Sequence, residues 1–326
     1  MNSDEFRKRC RGIVPVQYCP YKDNFELDVE GLRENTKFIV EFAKRGQRDV
    51  MIMTNGSTTE FYANSLEEQK TVIKTVVDTV GGRIPVVAGA AQAGTIETIK
   101  MAKYAEKAGA DCAMIVLPYY HRPTKEGLYR HYEAIANSVK IAVMIYSNPD
   151  VSGTLIDVDL LKRLSKIENI VALKDNNPNV AEYAWKSTQI DPDDMTLLNG
   201  YGEIHYLGSM AYGLRYKGFA TWIANFAPSL SYDVYEAARS GDFRKAMDAL
   251  KKTMPLWGIL DKFQRNRQTL SIIPSFLNTP YMYMSVGKAC MSLTGLHGGP
   301  LRLPMEDLTE KEKGELKALL KELEIT

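Results

Sequence analysis

Three polar clusters stand directly behind short apolar runs of this chain. Ile170-Val171-Ala172-Leu173 ends in Lys174, the run that starts at Ile141 ends in Tyr146, and the run Asp49 to Thr54 leads into Asn55-Gly56-Ser57-Thr58-Thr59-Glu60. If these runs are strands meeting at one apolar mouth, the lysine is poorly solvated there. Poor solvation disfavours the ammonium and moves the pKa toward the neutral amine that attacks a ketone. That is Schiff-base chemistry. On the strand pattern alone, a surface lysine paired with Asp175 stands as an equal alternative. The hydroxyls of Ser57 and Thr58, with the backbone N–H groups that open the next helix, form a cradle for a carboxylate. An ordinary turn and helix cap would use the same residues. A tyrosine ordinarily titrates near about 10, so Tyr146 needs hydrogen-bonded neighbours to exchange protons at neutral pH.

The elements that must position these groups follow from the hydrophobic pattern. Eight short runs read as strands: Gly12 to Gln17, Asp49 to Thr54, Ile84 to Gly89, Cys112 to Leu117, Ile141 to Tyr146, Ile170 to Lys174, Thr196 to Asn199 and Gly218 to Trp222. Several are continuously apolar, as in Ala113-Met114-Ile115-Val116-Leu117, which fits strands buried on both faces. Between them, Val29 to Arg45, Ser65 to Val80, Thr95 to Ala108 and Lys125 to Ser138 carry apolar residues at helical spacing, and Ser65 with Glu68 forms a capping box. Alternating strands and helices, eight times over, predict a (β/α)8 barrel, an α/β fold whose active site lies at the C-terminal ends of its strands. We place the barrel at residues 1–227 and a helical appendage at 228–326, its last stretch, Leu308 to Leu323, a charged surface helix.

Composition narrows the function. The 326 residues exceed the roughly 250 of a typical barrel. Lys plus Arg number 41 against 40 Asp plus Glu, a net charge of +1 that offers no attraction for nucleic acid. No apolar run approaches a signal peptide core or a membrane span. Cys10, Cys19, Cys112 and Cys290 are widely separated and lack a CxxC pair, which predicts reduced thiols in the cytoplasm. The four histidines have no metal-ligand spacing, so no metal is expected. Gly200-Tyr201-Gly202 lacks the third glycine of a dinucleotide fingerprint, His205 standing there instead.

The strand-end residues resemble, over almost the whole chain, the dihydrodipicolinate synthase and N-acetylneuraminate lyase family of pyruvate-dependent class I aldolases. Gly56-Ser57-Thr58-Thr59-Glu60 is similar to the family's Gly-Ser/Thr-Thr-Gly-Glu loop. Pro118-Tyr119-Tyr120 resembles its Pro-Tyr-Tyr segment, and Tyr146-Ser147-Asn148-Pro149 its Tyr-Asn-x-Pro strand end. The resemblance implies that Lys174 forms the imine without a cofactor and that Tyr146 relays protons. It implies further that Ser57 links Tyr146 to Tyr120 of a neighbouring subunit in a homo-oligomer, a dimer of dimers. The implied partners are a 2-oxo acid, held by Gly56, Ser57 and Thr58, and an aldehyde.

Three departures bear on the second substrate. Dihydrodipicolinate synthases carry an arginine where this chain has Val151, and an apolar side chain cannot replace a bidentate guanidinium. Asn199-Gly200-Tyr201-Gly202-Glu203 resembles the Asn-Gly-Tyr-Asp-Glu of sialic acid lyases with Gly202 in place of the aspartate, leaving Glu203 to bind a hydroxyl. On the eighth strand, beyond Ala220, Trp222 replaces a small hydroxyl residue, which suggests a shorter or flatter substrate than a nine-carbon sugar; packing of the indole is an equal explanation. The leading expectation is aldol cleavage or condensation next to a pyruvate-like acid. Dehydration of a 3-deoxy-2-oxo sugar acid, dihydrodipicolinate synthesis and non-catalytic 2-oxo acid binding are the alternatives.

Overall fold

The eight apolar runs form eight parallel strands: β1 Gly12–Pro15, β2 Ile52–Thr54, β3 Val86–Gly89, β4 Cys112–Val116, β5 Ala142–Ser147, β6 Ile170–Asp175, β7 Thr196–Asn199 and β8 Tyr216–Thr221. The computed structural model describes residues 1–267 and 281–325. Each strand pairs with its sequence neighbour, β8 pairs with β1, and the isolated parallel bridges Ile13 to Val50 and Val16 to Met53 bring β1 against β2. The ring is the expected (β/α)8 barrel. Its helices are α1 Ser3–Arg9, α2 Val29–Lys44, α3 Leu66–Val80, α4 Thr95–Ala108, α5 Lys125–Ala136, α6 Pro149–Ser152, α7 Val158–Leu164, α8 Val180–Gln189, α9 Gly202–Ala211, α10 Pro228–Arg239, α11 Phe243–Arg265, α12 Met282–Leu293 and α13 Glu310–Glu322. Ser65 and Glu68 make the reciprocal capping box at the start of α3.

Two elements depart from the expected layout. The basic opening segment folds as α1, whose Phe6 is fully buried and which lies against β5 and β6. The division expected at residue 227 does not coincide with the packing. α10 lies beyond it, yet it packs on β1 and α9 and sends Val234, Tyr235, Ala237 and Ala238 into the barrel's own apolar core. Sequence alone could not separate this eighth barrel helix from the helices that follow, because no strand-like run comes after it in the sequence.

A second apolar cluster lies beside the first. It joins Trp222 and Ile223 from the end of β8 to Leu256, Leu260 and Phe263 of α11, Met282, Met284 and Val286 of α12, and Leu316 and Leu320 of α13. Among the described residues no helix is long and apolar enough to cross a membrane.

The two clusters are tied by ions as well as by apolar contact. Lys288 of α12 is 1% exposed and donates to Glu60 Oε1 at 2.8 Å and to the Cys19 and Pro300 carbonyls at 2.9 and 2.6 Å. Glu60 is 0% exposed, and its Oε2 accepts the Arg302 backbone N–H at 3.1 Å. The C-terminal helices therefore grip the end of the loop that carries Ser57 and Thr58.

Candidate active site

Strand pairing brings Lys174 and Tyr146 side by side as register partners on β6 and β5. Because side chains alternate across a strand, Lys174 and Asp175 face opposite ways. Lys174 enters the barrel, 5% exposed, with Nζ 3.5 Å from Met53 Sδ and 4.1 Å from the Tyr146 ring centroid. Asp175 turns outward to the helix layer, where its carboxylate sits 3.0 Å from Lys186 Nζ in a fully buried pair. The surface pairing of Lys174 with Asp175 is thus ruled out. Burial lowers the Lys174 pKa from 10.5 to about 7. An amine held near neutrality inside an apolar wall can add to a carbonyl carbon.

The loop after β2 supplies the opposite wall. Ser57–Thr59 is one tight helical turn, and Gly56, Ser57, Thr58, Thr59, Tyr146 and Lys174 line one small cavity. The first N–H groups of such a turn have no partner within it, which leaves them for an anion. The family's glycine is not required at Thr59, because the left-handed residues of this loop are Asn55, at φ 52°, and Glu60, at φ 56°. Thr59 instead donates its hydroxyl to the Gln17 carbonyl at 2.8 Å and fastens the loop to the end of β1. Gly89 is where the fold does need glycine: a Cβ there would stand 2.0 Å from the Asn55 carbonyl oxygen.

Tyr146 receives a hydrogen bond on its phenol oxygen from Asn148 Nδ2 at 2.8 Å, and Ser57 lies within hydrogen-bonding reach. Burial nevertheless pushes the phenol well above its ordinary range, with the nearby Tyr283 adding to the rise, and the two bonds only moderate it. In the free protein Tyr146 is therefore a proton donor. Thr58 bonds to Tyr283, whose phenol burial pushes up to about 12.

Beyond the lysine the mouth opens into a cleft of about 580 Å³. Ala220 and Trp222 line it, as do Thr58, Tyr146 and Lys174. Trp222 answers both expectations for it, since it also packs edge-on against Trp257 at 5.8 Å and belongs to the second apolar cluster. Gly202 makes room for that pair. Its φ is +77°, a conformation that L side chains rarely adopt, and a Cβ would make a tight 3.3 Å contact with Trp257, so the aspartate of sialic acid lyases is disfavoured here.

Three expected site residues are not brought to the cleft. Glu203 is fully buried behind the wall, its Oε1 accepting from Thr221 and Ser231 hydroxyls at 2.6 and 2.5 Å, because it opens α9 on the side that faces α10. Val151 packs against the barrel core, and on the short α6 the side chain that reaches the cleft is Asp150. Tyr120 is 74% exposed, with its ring edge-on to His121. Sequence reasoning missed Asp150, Tyr201, Trp257, Tyr281 and Tyr283, all of which line the cleft. Asp150 carried a usable signal, since it follows Pro149 at a strand end. Tyr201 did too, since it stands in the Asn-Gly-Tyr motif after the seventh strand, whereas Trp257, Tyr281 and Tyr283 carried none, because they come from the C-terminal region.

The sequence profile of the Dihydrodipicolinate synthetase family matches residues 9–269. The 4-hydroxy-tetrahydrodipicolinate synthase of Archaeoglobus fulgidus is 32% identical over 314 residues, covering 96% of this chain and 98% of its own length. The crystal structure of dihydrodipicolinate synthase from Aquifex aeolicus superposes with a TM-score of 0.83 at 28% identity, covering 97% of this chain and 98% of that one. A prophage protein of the dihydrodipicolinic acid synthase family from E. coli K12, solved in complex with pyruvate, gives a TM-score of 0.82 at 26% identity, covering 97% and 99%.

Proposed function

Because the chain belongs to the dihydrodipicolinate synthetase family of aldolase-type lyases, we propose that it makes or cleaves a carbon–carbon bond next to a pyruvate-like 2-oxo acid through an imine on Lys174. The observation that carries this reading is the lysine itself: a buried amine at a barrel mouth, close to a proton-donating phenol, with its pKa lowered to about 7 by burial. Lys174 Nζ attacks C2 of the acid, and the carbonyl oxygen leaves as water. The iminium draws electrons from C3, which loses a proton to become an enamine. The enamine carbon bonds the aldehyde carbon, whose oxygen takes up a proton. Water then releases the product and restores the amine; cleavage is the reverse. Gly56, Ser57 and Thr58 hold the carboxylate, and Tyr146 carries the protons. The lysine is the covalent carrier, so the scheme uses no cofactor.

Borohydride reduction in the presence of pyruvate tests the scheme. We expect a single adduct on the peptide holding Lys174, located by mass spectrometry. Sampled by rapid quench, the rate of adduct formation rises as pH is raised through about 7, because the neutral amine is the attacking form. An adduct on another lysine, or none with any 2-oxo acid, would sink the reading.

Ser57 joins Tyr146 to Tyr120 of a second copy in a dimer of dimers, which accounts for a tyrosine left 74% exposed beside a strand end. Tyr120→Phe then lowers kcat by about tenfold or more, and the native protein sediments as a tetramer; a fully active monomer would refute the arrangement. Four buried, unpaired cysteines suit a cytoplasmic setting. The condensation after which the Archaeoglobus fulgidus relative is named is the second reading, supported by 32% identity. Against it, Lys174 is the only Lys or Arg among the described residues that line the cleft. Dehydration through the same imine differs in its products, loss of water in place of pyruvate plus an aldehyde.

A further inference from the structure

The cleft beyond Lys174 is much larger than pyruvate and has an uneven set of polar groups. Asp150 and Asp261 are its carboxylates. Asp261 is paired with Arg265 at 2.8 Å on the outside of α11, which leaves Asp150 as the acid of the inner cleft. The Tyr281 phenol lies within hydrogen-bonding reach of the Asp150 carboxylate, whose Oδ1 has no partner among the described residues. Burial raises this carboxyl to about 6, so it is mostly ionised at neutral pH.

Two other cleft-lining residues, Asn148 and Trp222, have an Oδ1 and an Nε1 with no partner among the described residues. The described residues that line the cleft therefore include a carboxylate, amides and phenols but, apart from Lys174, which is consumed as the imine, no Lys or Arg. A hydroxyl group, which both donates and accepts, satisfies such a set. A second carboxylate meets a fixed negative charge and no counterion, and like charges brought together in a poorly solvated cleft are strongly disfavoured.

We propose that Asp150 is the specificity-determining residue for the second substrate, turning away aldehydes that carry a carboxylate and accepting uncharged aldehydes that present a hydroxyl. The proposal rests on the imine scheme above. The test pairs pyruvate with 4-oxobutanoate and with its methyl ester, which share a four-carbon chain and differ in charge and by one methyl group, and with glyceraldehyde and propanal. In the wild type, kcat/KM for the ester exceeds that for the free acid by at least about tenfold, and glyceraldehyde exceeds propanal by a similar factor. Asp150→Asn narrows the ester-to-acid ratio at least about fivefold, and Asp150→Arg reverses it.

Borohydride trapping of pyruvate on Lys174 is run on every protein. A wild type that forms the adduct yet uses acid and ester equally, or condenses none of the four aldehydes, overturns the assignment of Asp150 while the imine stands. A wild type without the adduct overturns both. The wild-type comparison needs no variant to fold.

Discussion

Lys174→Met lowers kcat/KM by on the order of 10⁴-fold or more, the scale reached when a covalent nucleophile is deleted, and abolishes the pyruvate adduct. Methionine nearly matches the lysine stem in volume, so the barrel keeps its packing while the amine is lost. Stability separates this from misfolding. In the wild type the amine titrates at about 7 in the folded protein and at its ordinary 10.5 when unfolded. Between those values the unfolded chain binds more protons, so wild-type stability rises with pH across that window. Lys174→Met has no such slope and no ammonium to bury, so it melts above the wild type at pH 7 and below, and the advantage fades toward pH 10.5. Thermal unfolding at several pH values, beside the kinetics, checks both halves. A variant that is inactive and also less stable at pH 7 would mean that the lysine holds the barrel together.

Lys288→Met destabilises the protein by about 3–5 kcal/mol, because it leaves the Glu60 carboxylate buried without its counterion. The loss extends to the Cys19 and Pro300 carbonyls, which share the same ammonium. Since Glu60 ends the turn that carries Ser57 and Thr58, the KM for pyruvate rises as well. The double variant Glu60→Gln with Lys288→Met recovers part of the stability, as no uncompensated charge remains. Urea unfolding of the two singles and the double supplies the cycle. A change below about 1 kcal/mol in Lys288→Met would mean that the pair is solvated and does not brace the loop.

The parts of this molecule that were legible in its sequence are those governed by local periodicity. Continuous apolar runs gave the strands, and Ser65 with Glu68 marked the start of α3. Lys174 was legible as a strand-end residue, but its direction was not. Whether it or Asp175 faces the interior depends on the pleat, and only the partner Lys186, eleven residues beyond Asp175 on α8, decides it. The cleft beyond Lys174 was legible only on its barrel side. Trp257 and Tyr283 reach it from helices, and Tyr281 from the residue that caps one, and the patterns of those helices record apolar faces and nothing of where those faces dock. Glu203 misled for a related reason, since a motif position near a strand end does not specify which side of the next helix a residue opens on.

The apolar interior changes allegiance partway along α11. Leu250 belongs with the barrel, Leu256 with the cluster over the mouth, and Pro255 stands between them, where the helix lacks a backbone donor. Among the described residues, the segment beyond that proline brings Trp257, Tyr281 and Tyr283 to the cleft and adds no residue to the strand that holds Lys174. For protein engineering this makes the C-terminal quarter an exchangeable cassette. Grafting the corresponding segment from a relative, cut at Pro255 and keeping a lysine at position 288, would change the shape of the cleft while Lys174 stays on its original scaffold.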